Sequence, residues 1–340
     1  MAKRSLPIQL TDRTPLQEVI PLDTPYSVLL SPIDFCNIKC VFCPFHGAVR
    51  GDNRPPATMT FDLFKTIIDQ LSEFPNKLRA LIFCGRGEPT LHESLPDMIC
   101  YAKGKNVAEQ IRLTTNGINL SPELNRKLID SGLDYIRISV PALDEQTCFE
   151  ITGVRFDLNK YISNVAHLYE NKHNGMTIFC KTTDVALRAK TGTGAESAEA
   201  FYTAFDSVSD YMFIENIVPQ VPRNLSGVEK KAMGLLTDEI KNVYNRDNSG
   251  SPVCERLFYH LTVNSLGNVF PCDLNENKRN LLGNVQNDTL RQIWNGASLK
   301  NIRLAFLAGN IPSACAECSV SLYDFPNELH RYADEISQRL

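Results

Sequence analysis

Ser27-Val28-Leu29-Leu30-Ser31-Pro32-Ile33 leads, through Asp34 and Phe35, into Cys36-Asn37-Ile38-Lys39-Cys40-Val41-Phe42-Cys43. The first stretch is an apolar run of strand length, so the three cysteines occupy a loop at its C-terminal end. Spacings of three and two residues let their thiolates converge on one small centre. Four cysteines fill a cubane iron–sulfur cluster, whereas three leave one iron open to another ligand. A zinc ion completed by His46 is the competing arrangement, but structural zinc usually draws on paired CxxC elements.

Outward from this loop, short apolar runs alternate with amphipathic stretches as far as Ile217. The strand candidates are 27–33, 78–84, 110–115, 135–140, 176–182 and 211–217. Between them, Phe61, Phe64, Ile67, Ile68 and Leu71 recur at helical spacing, as do Leu158, Tyr161, Ile162, Val165 and Leu168. Strands alternating with helices call for a parallel sheet with helical crossovers, either doubly wound or a partial barrel. In both, ligands gather at the C-terminal ends of the strands. After Pro222 the alternation stops. Residues 223–250 read as a polar linker with one helix near 229–245. From Cys254 a compact region follows, with a hairpin from 260–264 and 267–270, a short helix at 289–294 and a terminal one at 327–339. The expected domains are an N-terminal extension (1–24), an α/β domain (25–222), the linker (223–250) and a cysteine-bearing C-terminal domain (251–340).

Of the 340 residues, 43% are hydrophobic and 22% charged, the balance of a chain with a sizeable core. The net charge of -4 argues against nucleic acid as a partner. Neither a secretory apolar segment nor a run of membrane-spanning length is present, so the expected setting is the cytoplasm, away from the membrane. There an odd count of eleven cysteines does not read as a disulfide framework. Seven fall into two groups with ligand-like spacing. Cys84, Cys100, Cys148 and Cys180 stand singly in apolar surroundings and read as buried core residues.

Three further elements end the next strand candidates in order. They are Cys84-Gly85-Arg86-Gly87-Glu88-Pro89, Thr114-Thr115-Asn116-Gly117 and Arg137-Ile138-Ser139-Val140. Glycines allow close approach of backbone to a ligand, and Glu88 offers an acceptor. A Rossmann fingerprint fails because Thr90 stands where the third glycine would be. With the cysteine triplet and Phe42 before its last cysteine, these elements resemble the radical SAM superfamily over most of the chain. The resemblance implies a partial (β/α)6 TIM-like barrel and a [4Fe–4S] cluster on Cys36, Cys40 and Cys43. It also implies S-adenosyl-L-methionine (SAM) held near Phe42, Gly85, Gly87, Glu88, Pro89, Thr115, Asn116 and Ser139. Glu88 and its neighbours would receive the methionine amino group. Arg86 departs from the family pattern, which usually has glycine there.

Cys254, Cys272, Cys315 and Cys318 form the second group, with a GxxxxC element at Gly267–Cys272. Four thiolates fully ligate one cubane, and a four-thiolate zinc site has the same composition. The group resembles the C-terminal auxiliary module of the SPASM/twitch branch, in its single-cluster form. That resemblance implies a second, closed [4Fe–4S] cluster.

One radical-generating site with one closed auxiliary cluster resembles the aminocyclitol dehydrogenase type. The implied activity is radical oxidation at a hydroxyl-bearing carbon of a sugar, aminosugar or cyclitol, possibly nucleotide-linked. The reductant would be of flavodoxin or ferredoxin type. Epimerisation at such a carbon, with Cys180 or Cys148 returning hydrogen, and maturation of a ribosomally made peptide are the alternatives. Candidate catalytic groups near the end of the fifth strand are Lys181, Asp184, Arg188 and Cys180.

Overall fold

The computed structural model describes residues 1–6, 14–43, 45–46, 55–187, 194–217, 251–273, 280–316, 318 and 327–340. All six expected strands form: β1 (Ser27–Leu30), β2 (Leu78–Phe83), β3 (Ala108–Thr115), β4 (Tyr135–Ser139), β5 (Thr177–Thr183) and β6 (Tyr211–Glu215). β7 (His260–Val263), β8 (Asn268–Phe270) and β9 (Gly283–Asn284) extend the same sheet, in the order β6-β5-β4-β3-β2-β1-β7-β8-β9. β1 to β6 are parallel and lie side by side in chain order. A doubly wound sheet would reverse direction at a switch point. Without one, successive right-handed crossovers place their helices on a single face, and the arrangement is a partial barrel.

That helix-covered face holds the core. Leu81, Phe83, Leu113, Ile136, Ile138, Ile178 and Met212 from the strands join Phe64, Ile67, Met98, Leu128, Val165 and Phe201 from the helices in one buried cluster. Side chains alternate across a strand, so every second residue points to the other, concave face. The helices start on polar caps. Thr60 Oγ1 accepts from Leu63 N (3.2 Å) ahead of Phe61–Leu71, and Asp157 Oδ1 accepts from Lys160 N (3.1 Å) ahead of Leu158–Asn171.

The sequence gives no sign of what happens at the edge of β1. That edge pairs in parallel with β7, from Ser27↔His260 to Leu30↔Val263. β1 is therefore enclosed between β2 and β7. The outer side of β6 instead meets the N-terminal segment through a bridge between Lys3 and Tyr211. The expected hairpin is present, pairing Thr262 with Phe270 and Val263 with Val269. Its turn uses Gly267 at φ +78 and Asn264 Oδ1, which accepts from Leu266 N (3.1 Å) and Asn268 N (3.0 Å). The short helix is Leu290–Trp294, opened by a reciprocal Thr289/Gln292 cap, and the terminal one is Ala333–Arg339. The linker at 223–250 and its helix lie outside the described residues. Among the described residues no helix is long and apolar enough to cross a membrane.

The expectation of four buried solitary cysteines holds for Cys148 and Cys180 and fails for the other two. Cys100 is exposed because Met98, Ile99 and Ala102 take the core-facing positions of helix Leu95–Lys105. Cys84 is partly exposed because it continues the concave side of β2, opposite the buried Phe83.

Candidate functional site

The first cysteine loop is fastened along its length. Lys39 N and Val41 N donate to Thr152 O and Ile151 O (both 2.8 Å), seating the loop on the end of helix Glu145–Thr152. Val41 and Phe42 pack on Ile151, Val185 and Ala186. Cys43 N donates to Cys40 O (2.9 Å), while Phe45 N and His46 N each lie 3.4 Å from Cys43 Sγ. Backbone donors aimed at sulfur favour a thiolate, which is what a metal centre requires. Burial pushes the Cys36 thiol up to about 11 and also raises Cys40. His46 is engaged elsewhere, its Nε2 lying 2.9 Å from Arg86 O. Among the described residues, no three His, Cys, Asp or Glu side chains are gathered as a site for one ion. Three thiols carried on one anchored loop, with backbone donors at Cys43 Sγ, suit a cubane, in which each cysteine would meet its own iron.

The loops after β2 and β3 lock onto this one through Glu88. Its buried carboxylate accepts from Thr90 N (3.0 Å), Thr90 Oγ1 (2.7 Å) and Thr115 Oγ1 (2.7 Å) on one oxygen, and from Asn116 N (2.7 Å) on the other. Burial raises this carboxyl's pKa, while the four donors act against the rise. Glu88 N in turn donates to Phe35 O at 2.9 Å. Gly87 is required because a Cβ there would strike the carbonyl oxygens of Ile33 and Phe35. Gly85, at φ +130, would put a Cβ 2.6 Å from that of Ser31. Asn116 Nδ2 donates to Asn37 Oδ1 (2.7 Å), joining the third-strand loop to the residue after Cys36. Pro89 opens a buried 3-10 turn, Pro89–Leu91. The structure thus brings Gly85, Gly87, Glu88, Pro89, Thr115 and Asn116 together beside the cysteine loop.

Ser139 ends β4 on the concave face, in register with Lys181. Lys181 is ion-paired with Glu215 at the end of β6, and both side chains are largely buried. Burial lowers Lys181, with Arg137 adding to that effect. For Glu215, burial acts upward but is outweighed by the charges of Lys181 and Arg137, which hold the carboxylate low. Cys180, one residue before Lys181, points into the helix-facing core. Asp184 Oδ1 accepts from Ile217 N (2.8 Å) and so caps the end of β6. Arg188 lies outside the described residues. Glu215 was missing from the sequence reading, Arg137 entered it only as a neighbour of Ser139, and Cys84 was read as a core residue. Their signal was polar residues at every second position of otherwise apolar strands, as in Tyr135-Ile136-Arg137-Ile138-Ser139.

The second cysteine set is assembled from separated segments. Cys254 precedes helix Arg256–Tyr259 and Cys272 follows β8, while Cys318 N donates to Cys315 O at 3.0 Å. Burial raises the Cys272 thiol, and Cys254 and Cys318 lie near enough to act on it as well. Asn280 Nδ2 lies 3.4 Å from Cys315 Sγ. One hydrogen bond ties the hairpin beside this set to the first cysteine loop. Ser265 Oγ, in the hairpin turn, donates to Asp34 Oδ1 (2.9 Å), two residues before Cys36. Asp273, next to Cys272, pairs with Arg256 at 3.0 Å.

Comparison with known proteins gives two family matches. Residues 30–188 match the radical SAM superfamily, and residues 254–319 match SPASM, an iron–sulfur cluster-binding domain. A probable GTP 3',8-cyclase of Sulfolobus acidocaldarius is 35% identical over 130 residues, covering 38% of this chain and 38% of that protein. The chain therefore spans well under half the length of that curated relative. Among solved structures, Streptococcus suis SuiB bound to S-adenosylmethionine aligns over 94% of this chain and 76% of its own, with 16% identity and a TM-score of 0.59. BtrN in complex with AdoMet and 2-DOIA aligns over 83% of this chain and 86% of its own, with 16% identity and a TM-score of 0.51. At such identities the likeness is one of fold.

Proposed function

Because the chain belongs to the radical SAM superfamily and carries a SPASM iron–sulfur domain behind its barrel, we propose that it oxidises a carbinol carbon of a sugar, aminosugar or cyclitol. Cys36, Cys40 and Cys43 would hold a SAM-binding [4Fe–4S] cluster, and Cys254, Cys272, Cys315 and Cys318 a closed auxiliary one. When bound, these groups supply a hydrogen-abstracting 5′-deoxyadenosyl radical and a sink for the second electron. The chain's part is to seat SAM between the Gly85–Pro89 and Thr115–Asn116 loops and to hold substrate against the concave wall. Glu88, with four donors from the chain already on it, would act mainly by shaping the backbone around the methionine amino group. Glu215, kept ionised by its cationic neighbours, would accept the carbinol hydroxyl proton. A flavodoxin- or ferredoxin-type protein would supply reducing electrons.

The observation that carries this reading is the hydrogen bond from Ser265 Oγ, in the hairpin turn that leads to Cys272, to Asp34 Oδ1, two residues before Cys36 (2.9 Å). It supports the two cysteine sets standing on neighbouring parts of the fold, as transfer of an electron from substrate to the auxiliary site would need. Anaerobic turnover with candidate sugars and cyclitols tests it. One ketone and one 5′-deoxyadenosine per turnover are expected. Solvent deuterium entering an unoxidised product would instead select epimerisation, for which Cys84, and not Cys180 or Cys148, is the thiol on the concave side.

A further inference from the structure

The two halves of the first cysteine loop are held by different parts of the barrel. Lys39 N and Val41 N fix the second half to helix Glu145–Thr152, whereas the first half is tied to the loops after β2 and β3. On one side of Cys36, Phe35 O accepts from Glu88 N (2.9 Å); on the other, Asn37 Oδ1 accepts from Asn116 Nδ2 (2.7 Å). Both neighbours of Cys36 are thus set by the loops that would seat SAM. Asn116 Nδ2 and Asn37 Oδ1 each lie 4.0 Å from Cys36 Sγ.

Asn116 is engaged at every polar group. Its backbone N donates to Glu88 Oε2 (2.7 Å) and its O accepts from Tyr161 Oη (3.0 Å). Its Oδ1 accepts from Ile118 N at 3.0 Å. That donor requires the amide oxygen at its end of the side chain, so the NH2 group must face Asn37. Asn116 and Tyr161 are both buried. Gly117 makes room for the phenol, since a Cβ there would stand 2.5 Å from Tyr161 Oη. Asn119 Nδ2 adds a bond to Thr90 O (2.7 Å), tying the third-strand loop a second time to the Glu88 loop. The Asn116 carboxamide therefore has one orientation, and a movement of either SAM-seating loop is passed to Cys36 through it. Hydrogen bonds and dipoles around ligating sulfurs set the potential of an iron–sulfur cluster.

We propose that Asn37 and Asn116 form a positioning clamp that couples the seating of SAM to the first cluster at Cys36. The proposal rests on the radical SAM reading, and it gives Asn116 a task performed through Asn37 and not by direct contact with the cofactor. By linkage, a clamp that lets SAM act on the cluster lets the cluster's redox state act on SAM affinity by the same factor.

The test compares reconstituted wild type, Asn37→Ala, Asn116→Ala, the double variant and Asn37→Asp under anaerobic conditions. Iron content, SAM affinity by equilibrium dialysis, and the electron paramagnetic resonance spectrum of the reduced protein with and without SAM are read for each. The difference spectrum separates the SAM-responsive cluster from the auxiliary one. Each Ala variant is expected to keep its iron, to bind SAM at least about fivefold more weakly and to lose most of the SAM-induced spectral change. The double variant should bind SAM within about twofold of Asn116→Ala, because the shared bond is lost only once. Asn37→Asp keeps the acceptor for Asn116 Nδ2 and should retain the spectral response. If Asn116→Ala alone fails to load iron, the contrast between Asn37→Ala and Asn37→Asp decides. Wild-type affinity and response in the Ala variants overturn the proposal, as do additive losses in the double variant. Loss of iron from Asn37→Asp as well as the Ala variants also overturns it, leaving the pair a structural role alone. Formation of 5′-deoxyadenosine by reduced wild type reports the radical SAM reading independently: its absence defeats that reading, and its presence beside unresponsive variants defeats only the clamp.

Discussion

Cys36, Cys40 and Cys43 come from one loop, whereas Cys254, Cys272, Cys315 and Cys318 come from three separate stretches of chain. The first loop is tied at every turn, to helix Glu145–Thr152, to the Glu88 network and to Asn116. The second set has a hairpin, a short helix and the turn between Cys315 and Cys318 to place it, and it leans on the barrel through β7 and Ser265. A local loop pays little entropy to bring its thiols together, while a dispersed set must close long segments first. The first loop is therefore held in place by the barrel. The second set is expected to draw more of its order from the metal it binds.

The largest expected effect separates the two sites outright. Replacing Cys36, Cys40 and Cys43 by Ala should lower the iron content of the reconstituted protein from about eight to about four per chain and abolish 5′-deoxyadenosine formation. Replacing Cys254, Cys272, Cys315 and Cys318 should remove a similar share of iron. That second variant should still cleave SAM but should fail to oxidise substrate and should melt earlier. Zinc in place of the iron lost would redefine the auxiliary site as structural.

Glu88→Ala sharpens the comparison within the barrel. It strands four donors that converge on one buried carboxylate, so a loss of about 3 to 5 kcal/mol in denaturant unfolding is expected. The first site should suffer and the auxiliary iron should persist. Equal loss of both would show that the two sites assemble as one unit.

Ser265→Ala tests the link between the regions and should have the smallest effect. It removes one hydrogen bond to the buried Asp34 carboxylate, an expected cost of about 1 to 2 kcal/mol. The electron paramagnetic resonance signal of the first cluster should shift, with both iron complements intact. An unchanged spectrum would mean that the cysteine loop takes its geometry from the barrel alone.

Much of the barrel was legible because its signals are local. Apolar runs of strand length mark β1 to β6, and polar caps such as Thr60 and Asp157 stand immediately before the helices they open. The loops bearing Glu88 and Asn116 were legible for the same reason, since each follows its strand directly. Glu88's actual task was not. Its four donors come from positions 90, 115 and 116, and only the pairing of β2 with β3 makes them neighbours. Cys180 and Lys181 looked equally suited to chemistry, yet alternation along β5 sends one into the core and the other to the concave wall.

By itself, then, the sequence determined which groups exist and which chain segments carry them: a cysteine triplet after the first strand, ligand-like loops after the next strands, and a second cysteine set. Those features depend on short-range spacing and strand length, which the order of residues states directly. Tertiary structure decided that β7 would take the free edge of β1, that Ser265 would reach Asp34, and that Arg112, Arg137, Lys181 and Glu215 would share one wall. These contacts join residues distant in the chain through strand pairing and register. A shift of one residue in that register would send each of these side chains to the opposite face.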